Sequence, residues 1–410
     1  MVKPFSSPPL SDRQGGLIGI MDAGCGKIAC VMARYFRDDN MQAAAEIVGV
    51  SHRASKGVAP AGFLQNDSAD PIANIIEAAE TMAGERLREI LVLVNGRQII
   101  NHRVAVEIEL NGQAVLDDDV NLCVKRGVES CLRKDQTMLH VWPTRFRLDR
   151  TNPVDDPRGL CGETLLVEIT CLAAPKSFLA NLRQSLERCD VRVRGFLAAP
   201  YAASCGVLMA DEKQMGALCL DIGARTTSFA VWQDGALCHG GHVPIGGDHI
   251  SGDLAKAYGL GASDAERIKV QRGLDTEIGE EGHLSLADVI APRMEEIFER
   301  VLQQMAVAGI ERDQLARAII TGGSGQLENL TPIAEAALGL KIRIGKPLNG
   351  WGGPSAVGSP AFASLMGAIE LVHADFSGRF DAMAPIEDDS ASHRTGTGPK
   401  KAFGWLRDHF

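Results

Sequence analysis

The chain has 410 residues, 45% hydrophobic and 5% aromatic, with a net charge of −10 and 10 cysteines. That length allows two or more domains with substantial cores, while the acidic balance and scarcity of aromatic rings argue against nucleic acid as a partner. The cysteines form no CxxC pair and no His/Cys cluster at metal spacing, as expected of reduced, packed thiols in a cytosolic compartment, and no run approaches the roughly 18 apolar residues of a membrane span.

The N-terminal stretch is polar, carries Pro4, Pro8 and Pro9 and lacks the apolar core of a signal peptide, so residues 1–13 read as a flexible arm. Periodicity then predicts strands over 17–20, 45–50, 90–94, 104–110, 165–173, 216–220, 228–232 and 318–320. Helical patterns cover 71–82, 176–188 and 290–307. Alternation of the two indicates an α/β fold. Residues 85–168 break the rhythm with exposed-strand patterns and charged turns at Asp117-Asp118-Asp119 and Asp155-Asp156-Pro157, and they read as an inserted subdomain.

Three segments rich in Gly, Asp and Thr punctuate this order: Asp22-Ala23-Gly24-Cys25-Gly26-Lys27, Asp221-Ile222-Gly223-Ala224-Arg225-Thr226-Thr227, and Thr321-Gly322-Gly323-Ser324-Gly325. The first two follow apolar strand-like runs, so each reads as a strand that turns sharply and presents amides to an anion, with the Thr hydroxyls as further donors. Asp22 and Asp221 facing the same phosphates make sense with a hydrated Mg²⁺ between them. Any one such turn is common in α/β proteins; two in different halves followed by a third are not. A P-loop would need Gly at 21 and Ser or Thr at 28, where Met21 and Ile28 stand, and no G-x-G-x-x-G opens a helix after either strand. Cys25, inside the first turn, reads as a small packed residue.

Beyond Val372 the composition changes. Residues 375–398 are acidic and rich in Ser, Thr and Gly, a flexible linker whose 24 residues reach roughly 25–30 Å. In residues 399–410, Phe403, Trp405, Leu406 and Phe410 fall with Ala402 on one helical face, while Lys400, Lys401 and Arg407 fall on the other. A short amphipathic helix on a tether suits an anionic membrane surface; the alternative is a helix docking on its own domain. One copy inserts few apolar side chains, so stable attachment needs several copies side by side and hence self-assembly.

Together these motifs resemble the FtsA family, bacterial actin-like proteins that tether the FtsZ division ring to the inner membrane. Further landmarks are Asp155-Asp156-Pro157-Arg158-Gly159-Leu160, Pro244-Ile245-Gly246-Gly247-Asp248-His249, Ala265-Glu266-Arg267-Ile268-Lys269 and Pro292-Arg293 with Glu296-Ile297. The resemblance implies an actin/Hsp70-like two-lobed α/β fold clasping ATP and Mg²⁺, with an FtsA-type (SHS2-like) insertion at 85–168 and the C-terminal amphipathic helix. Lobe I would comprise 14–84, 169–202 and 353–374. Lobe II would comprise an inner part, 203–246 and 318–352, and an outer part, 247–317. By position, Asp22, Gly24, Gly26 and Lys27 would meet phosphates from one lobe, and Gly223, Thr226, Thr227, Gly246 and Gly247 from the other, with Asp22 and Asp221 near the metal. Glu266 and Lys269 would contact ribose and adenine, although by spacing alone they are a surface i, i+3 ion pair. Gly322, Gly323 and Gly325 would let sugar and base pack on bare backbone. The implied partners are FtsZ, other division proteins, further copies of the chain and the anionic cytoplasmic face of the inner membrane at the division site.

Three departures from the family pattern bear on catalysis. Ala224 and Arg225 replace glycines in the second turn, where Arg225 either strains a position wanting positive φ or places a guanidinium against phosphates. Ser228 stands where a carboxylate is frequent. Ala199, before Pro200, stands where a Gln or Glu would orient the attacking water, so weak or absent hydrolysis is expected. The alternatives are a small-molecule kinase of the same superfold, with Asp248 as its base, and an FtsA-like pilus-assembly protein.

Overall fold

The computed structural model describes residues 16–38, 40–55, 69–151, 153–275 and 284–376. It begins with an antiparallel meander of β1 (Gly16–Ala23), β2 (Lys27–Arg37) and β3 (Ala43–Ala54). α1 (Ala69–Ala83) then leads to β4 (Glu89–Val94), parallel to β1. β5 (Ile100–Glu109), α2 (Asp117–Cys131), β6 (Gln136–Leu148), the short β7 (Pro153–Val154) and β8 (Thr164–Pro175) follow. α3 (Lys176–Glu187), β9 (Arg192–Ala198), α4 (Ala199–Val207) and α5 (Ala210–Met215) close the first half. A second meander of β10 (Ala217–Ile222), β11 (Thr227–Gln233) and β12 (Ala236–Val243) opens the second. After it come α6 (Gly247–Tyr258), α7 (Ala262–Arg272), α8 (Leu286–Val307), β13 (Arg317–Thr321), α9 (Leu330–Leu338), β14 (Lys341–Ile344) and α10 (Ala363–Phe376).

The two large sheets are built alike, in the orders β3-β2-β1-β4-β9 and β12-β11-β10-β13-β14. In each, the meander pairs antiparallel, and the remaining two strands run parallel to its first strand. Each sheet is packed into its own apolar core, the first around Ile20, Val31 and Leu91, the second around Phe229, Ile290 and Phe298. A third sheet, β5-β8-β6-β7, carries α2 on one face. Val120, Val124 and Val128 recur at helical spacing and bury against that sheet, and Gly127 leaves room for the Ile169 side chain.

The predicted strands and helices all overlap observed ones, but others were not foreseen. β2 is buried from Ile28 to Ala33 on both faces, so it shows no alternation. Asp117-Asp118-Asp119, expected as a charged turn, is the first turn of α2, where acidic side chains complement the helix dipole and Asp119 Oδ2 accepts from the Leu116 amide. α8 starts earlier than its apolar pattern suggests because Ser285 caps it, exchanging hydrogen bonds with Asp288.

Three contacts fix the relation of the parts. α4 and α10 cross so closely that a Cβ on Gly367 would lie 1.7 Å from the Ala202 carbonyl oxygen. Tyr201 of α4 packs between Trp142 of β6 and Trp232 of β11, with centroids 4.8 and 6.0 Å away. Asn101 of β5 bonds β12 at both Gly240 N and His239 Nδ1. Among the described residues no helix is long and apolar enough to cross a membrane. α10 continues through Asp375 to Phe376, past the start of the expected linker. The arm at 1–13, and Lys400, Lys401, Phe403, Trp405, Leu406, Arg407 and Phe410, lie outside the described residues.

Candidate functional site

The duplicated sheets present duplicated turns. Between β1 and β2 the Gly24 amide donates to the Lys27 carbonyl at 2.9 Å, and between β10 and β11 the Gly223 amide donates to the Thr226 carbonyl at 3.0 Å. A Cβ on either glycine would sit 3.0 Å from that carbonyl oxygen. The turns face each other closely enough that a Cβ on Gly26 would lie 2.6 Å from the Ala224 Cβ. Among the described residues, the amides of Cys25, Gly26, Ala224 and Arg225 donate to no protein acceptor. Such converging bare amides form a concavity for an anion.

Behind each turn lies the loop leaving the neighbouring parallel strand, packed close against the turn's aspartate. After β4, Asn95 Nδ2 donates to Asp22 Oδ1 at 2.9 Å. After β13, Gly322 has φ +86°, and a Cβ there would lie 2.3 Å from Asp221 Oδ1. Ser364 Oγ adds a bond to Asp22 Oδ2 at 3.2 Å. Burial pushes the Asp22 carboxyl up, opposed by Lys27, Ser364 and Asn95. Asp221 is pushed up to about 7 by burial and by the charge of Asp22, with Lys27 opposing. Two buried carboxyls whose proton affinities are raised, one of them by the other's charge, are a place where a cation is favoured. Lys27 is drawn down by burial and held up by both aspartates. Its ammonium donates to the Ala361 carbonyl and lies 3.7 Å from the centroid of the Phe362 ring.

Between the turns and α7 runs a cleft of about 850 Å³. Of the sequence-predicted residues, Asp22, Gly24, Gly26, Lys27, Asp221, Gly223, Thr226, Glu266, Lys269, Gly322 and Gly323 line it. Thr227 faces the other way, its buried hydroxyl donating to the Ile245 carbonyl at 2.9 Å. Gly246 and Gly247 back the second turn, where the Gly247 amide bonds the Gly223 carbonyl and a Cβ on Gly246 would strike it. Gly325 packs on Ile320 behind the third segment. Glu266 and Lys269 are no plain surface pair: the Lys269 ammonium is buried and donates to Glu266, to Ser251 and to the Gly247 carbonyl. Arg225 does not have positive φ, so the arginine sits in its turn without that strain. Its Nε lies 3.1 Å from Asp248 Oδ2, which leaves the carboxylate nominated as a kinase base tied in an ion pair. Ala199 is buried at the start of α4, and Ser228 lines the cleft.

Asn95, Arg97, His242, Ser324 and Ser364 also line the cleft and were not foreseen. An Asn-Gly pair directly after the apolar run of β4 was a readable turn signal. No local pattern announces Ser364, which reaches Asp22 from the far end of the chain.

A sequence model of the family described as Cell division protein FtsA matches residues 218–367, and one for the SHS2 domain inserted in FTSA matches residues 96–173. Cell division protein FtsA of Rhizobium meliloti (strain 1021) is 28% identical over 440 aligned positions, covering 98% of this chain and 97% of that protein. The chain belongs to the FtsA family. FtsA of Escherichia coli (strain K12) is 26% identical over 426 positions, with 98% and 99% covered. The third sheet with α2 is thus the SHS2 insertion, and the two large sheets are the lobes of the actin-like fold. A solved PilM-PilN type IV pilus biogenesis complex shares this fold with a TM-score of 0.60 at 17% identity, covering 86% of this chain and 98% of that one.

Proposed function

We propose that the cleft binds ATP, with Mg²⁺ between Asp22 and Asp221, and that bound nucleotide sets the assembly state of a peripheral membrane protein. Through residues 399–410 the protein holds FtsZ polymers to the cytoplasmic face of the inner membrane and recruits later division proteins. The reading rests on family membership and on one observation, the two facing turns with bare amides supplied by separate lobes.

The residues present suit that ligand. Gly24, Gly223 and Gly322 each stand where a side chain would collide with the cradle itself, so the backbone stays open to phosphate. The network of exposed Glu266 with buried Lys269 and Ser251 offers polar groups to a sugar, beside Val270 and Leu327 as apolar surface for a base. Bound Mg²⁺ would neutralise phosphate charge, held by Asp22 and Asp221. Nothing polar occupies position 199 to orient water, so the protein holds nucleotide rather than turning it over.

Calorimetric titration of the full chain with ATP and Mg²⁺ tests the cleft, and absence of binding would overturn that half of the proposal. Co-pelleting with vesicles of phosphatidylglycerol and phosphatidylethanolamine, in the presence and absence of FtsZ, tests the other half. A chain ending at Gly398 should leave the vesicles and release FtsZ with it; equal pelleting of both chains would refute the anchor.

A further inference from the structure

The second turn carries a guanidinium where its backbone requires none. Of the cleft cations, Lys27 is committed to Ala361 and the Phe362 ring, and Lys269 to Glu266, Ser251 and Gly247. Among the described residues Arg225 is held only by Asp248, in a pair with both side chains 44% exposed, the kind of pair that water and salt weaken most. Asp248 is itself fixed, because its amide bonds the Ala224 carbonyl at 2.6 Å in the first turn of α6. In the other lobe, Arg97 is exposed and forms no ion pair among the described residues. Both arginines line the cleft and are close enough to the Cys25 thiol for their charges to act on it, Arg97 from the loop after β4 and Arg225 from the turn after β10. The tips of the turns also carry the bare amides of Cys25 and Ala224.

We propose that Arg97 and Arg225 close as a clamp on the terminal phosphate of a nucleoside triphosphate, Arg225 leaving Asp248 to do so. This rests on the nucleotide reading above and specifies which nucleotide state the site reads. Guanidinium is suited to it by a planar fork that matches phosphate oxygens with two parallel bonds. A polyphosphate lying along the two turns ends at their tips, where a diphosphate stops short of the arginines. Since the arginines come from different lobes, the triphosphate ties the lobes together and the diphosphate does not. Asp248 serves as the resting partner that keeps Arg225 extended while the clamp is open.

The test is calorimetric titration of the full chain with ATP and with ADP, each with Mg²⁺ and with EDTA, for the parent, Arg225→Ala, Arg97→Ala and Asp248→Asn. Thermal denaturation of each variant checks that it folds. The parent should prefer ATP, and Arg225→Ala should lose about tenfold in ATP affinity while ADP affinity holds within about twofold. Arg97→Ala should move the same way, and Asp248→Asn should tighten ATP by a few-fold. With EDTA the loss caused by Arg225→Ala should grow, because the guanidinium is then the main countercharge. An ATP-to-ADP ratio unchanged in Arg225→Ala refutes the clamp while leaving the nucleotide reading intact. Failure of the parent to bind either nucleotide refutes both.

Discussion

Mild acid should lower the stability of the fold through one histidine at the joint between the SHS2 insertion and lobe II. Asn101 Oδ1 accepts from the Gly240 amide at 3.2 Å, which fixes the orientation of its amide group. Its Nδ2 therefore donates to His239 Nδ1 at 3.0 Å, and the imidazole must be neutral with its proton on Nε2. Protonation puts a donor against a donor. Burial, helped by the Arg103 charge, holds the His239 pKa down to about 4 from an ordinary 6.5. A base with a lowered folded pKa keeps its full contribution above pH 6.5 and loses it as pH falls from there toward 4, because the unfolded chain takes up the proton first. Linkage between those two values gives a loss of about 2 kcal/mol between pH 7.5 and pH 5. Urea unfolding of the parent and of His239→Gln at pH 7.5, 6.0 and 5.0 isolates this contribution from the other titrating groups. The parent-minus-variant difference should shrink by that amount over the interval. A difference independent of pH would mean that His239 titrates normally and that the latch does not depend on its neutral form.

Two further substitutions probe the glycines that set the close approaches. Gly322→Ala meets both a positive φ of +86° and the Asp221 carboxylate. It should cost about 2–4 kcal/mol in denaturant unfolding, and it should weaken Mg²⁺-dependent ATP binding measured by calorimetry under conditions where the variant stays folded. Gly367→Ala sets a Cβ against backbone atoms of α4, which cannot swing aside as a side chain can. It should cost about 3 kcal/mol or more, whereas Gly252→Ala in α6, with nothing near its Cβ, should gain about 0.5–1 kcal/mol.

Legibility in the sequence followed the physics of each element. β1, β4 and β10 were readable because short apolar runs end at Gly or Asn-Gly, and both halves of the cleft were readable because a phosphate cradle needs glycine at fixed offsets from an aspartate. β2 was hidden by burial on both faces, which erases period two. α2 was hidden by its own N-terminal aspartates, since Asp and Asn clusters favour turns and helix starts alike. At the site, what the sequence left open were the contacts that depend on the tertiary partner. Thr227 has the chemistry of a phosphate ligand, yet strand alternation turns it inward once Thr226 faces the cleft. Glu266 and Lys269 have the spacing of an exposed pair, and only the approach of α6 through Ser251 and Gly247 buries the ammonium. Arg225 departs from the family's glycine, but its φ could be known only from the turn itself.

The duplication also shows how the cleft is joined to the SHS2 insertion. In both lobes the loop after the inner parallel strand closes on the aspartate of the same lobe's turn: Asn95 donates to Asp22, and Gly322 lies so close to Asp221 that a side chain there would strike its carboxylate. In lobe II that loop continues within the lobe, through Ser324, whose hydroxyl donates to Gly223 O at 3.3 Å, toward α9. In lobe I it leaves the lobe altogether: Asn95, Gly96 and Arg97 line the cleft, and the chain passes directly into β5 of the SHS2 insertion. Asn101, on that same strand, bonds β12 of lobe II, as does Thr170 of β8 through the Cys238 carbonyl. A single short segment therefore forms one wall of the cleft, begins the insertion and latches the insertion to the opposite lobe. The insertion thus begins at the cleft wall and is held to lobe II by several bonds: Asn101 to His239 and Gly240, Thr170 to the Cys238 carbonyl, and Arg103 to the Ala308 carbonyl.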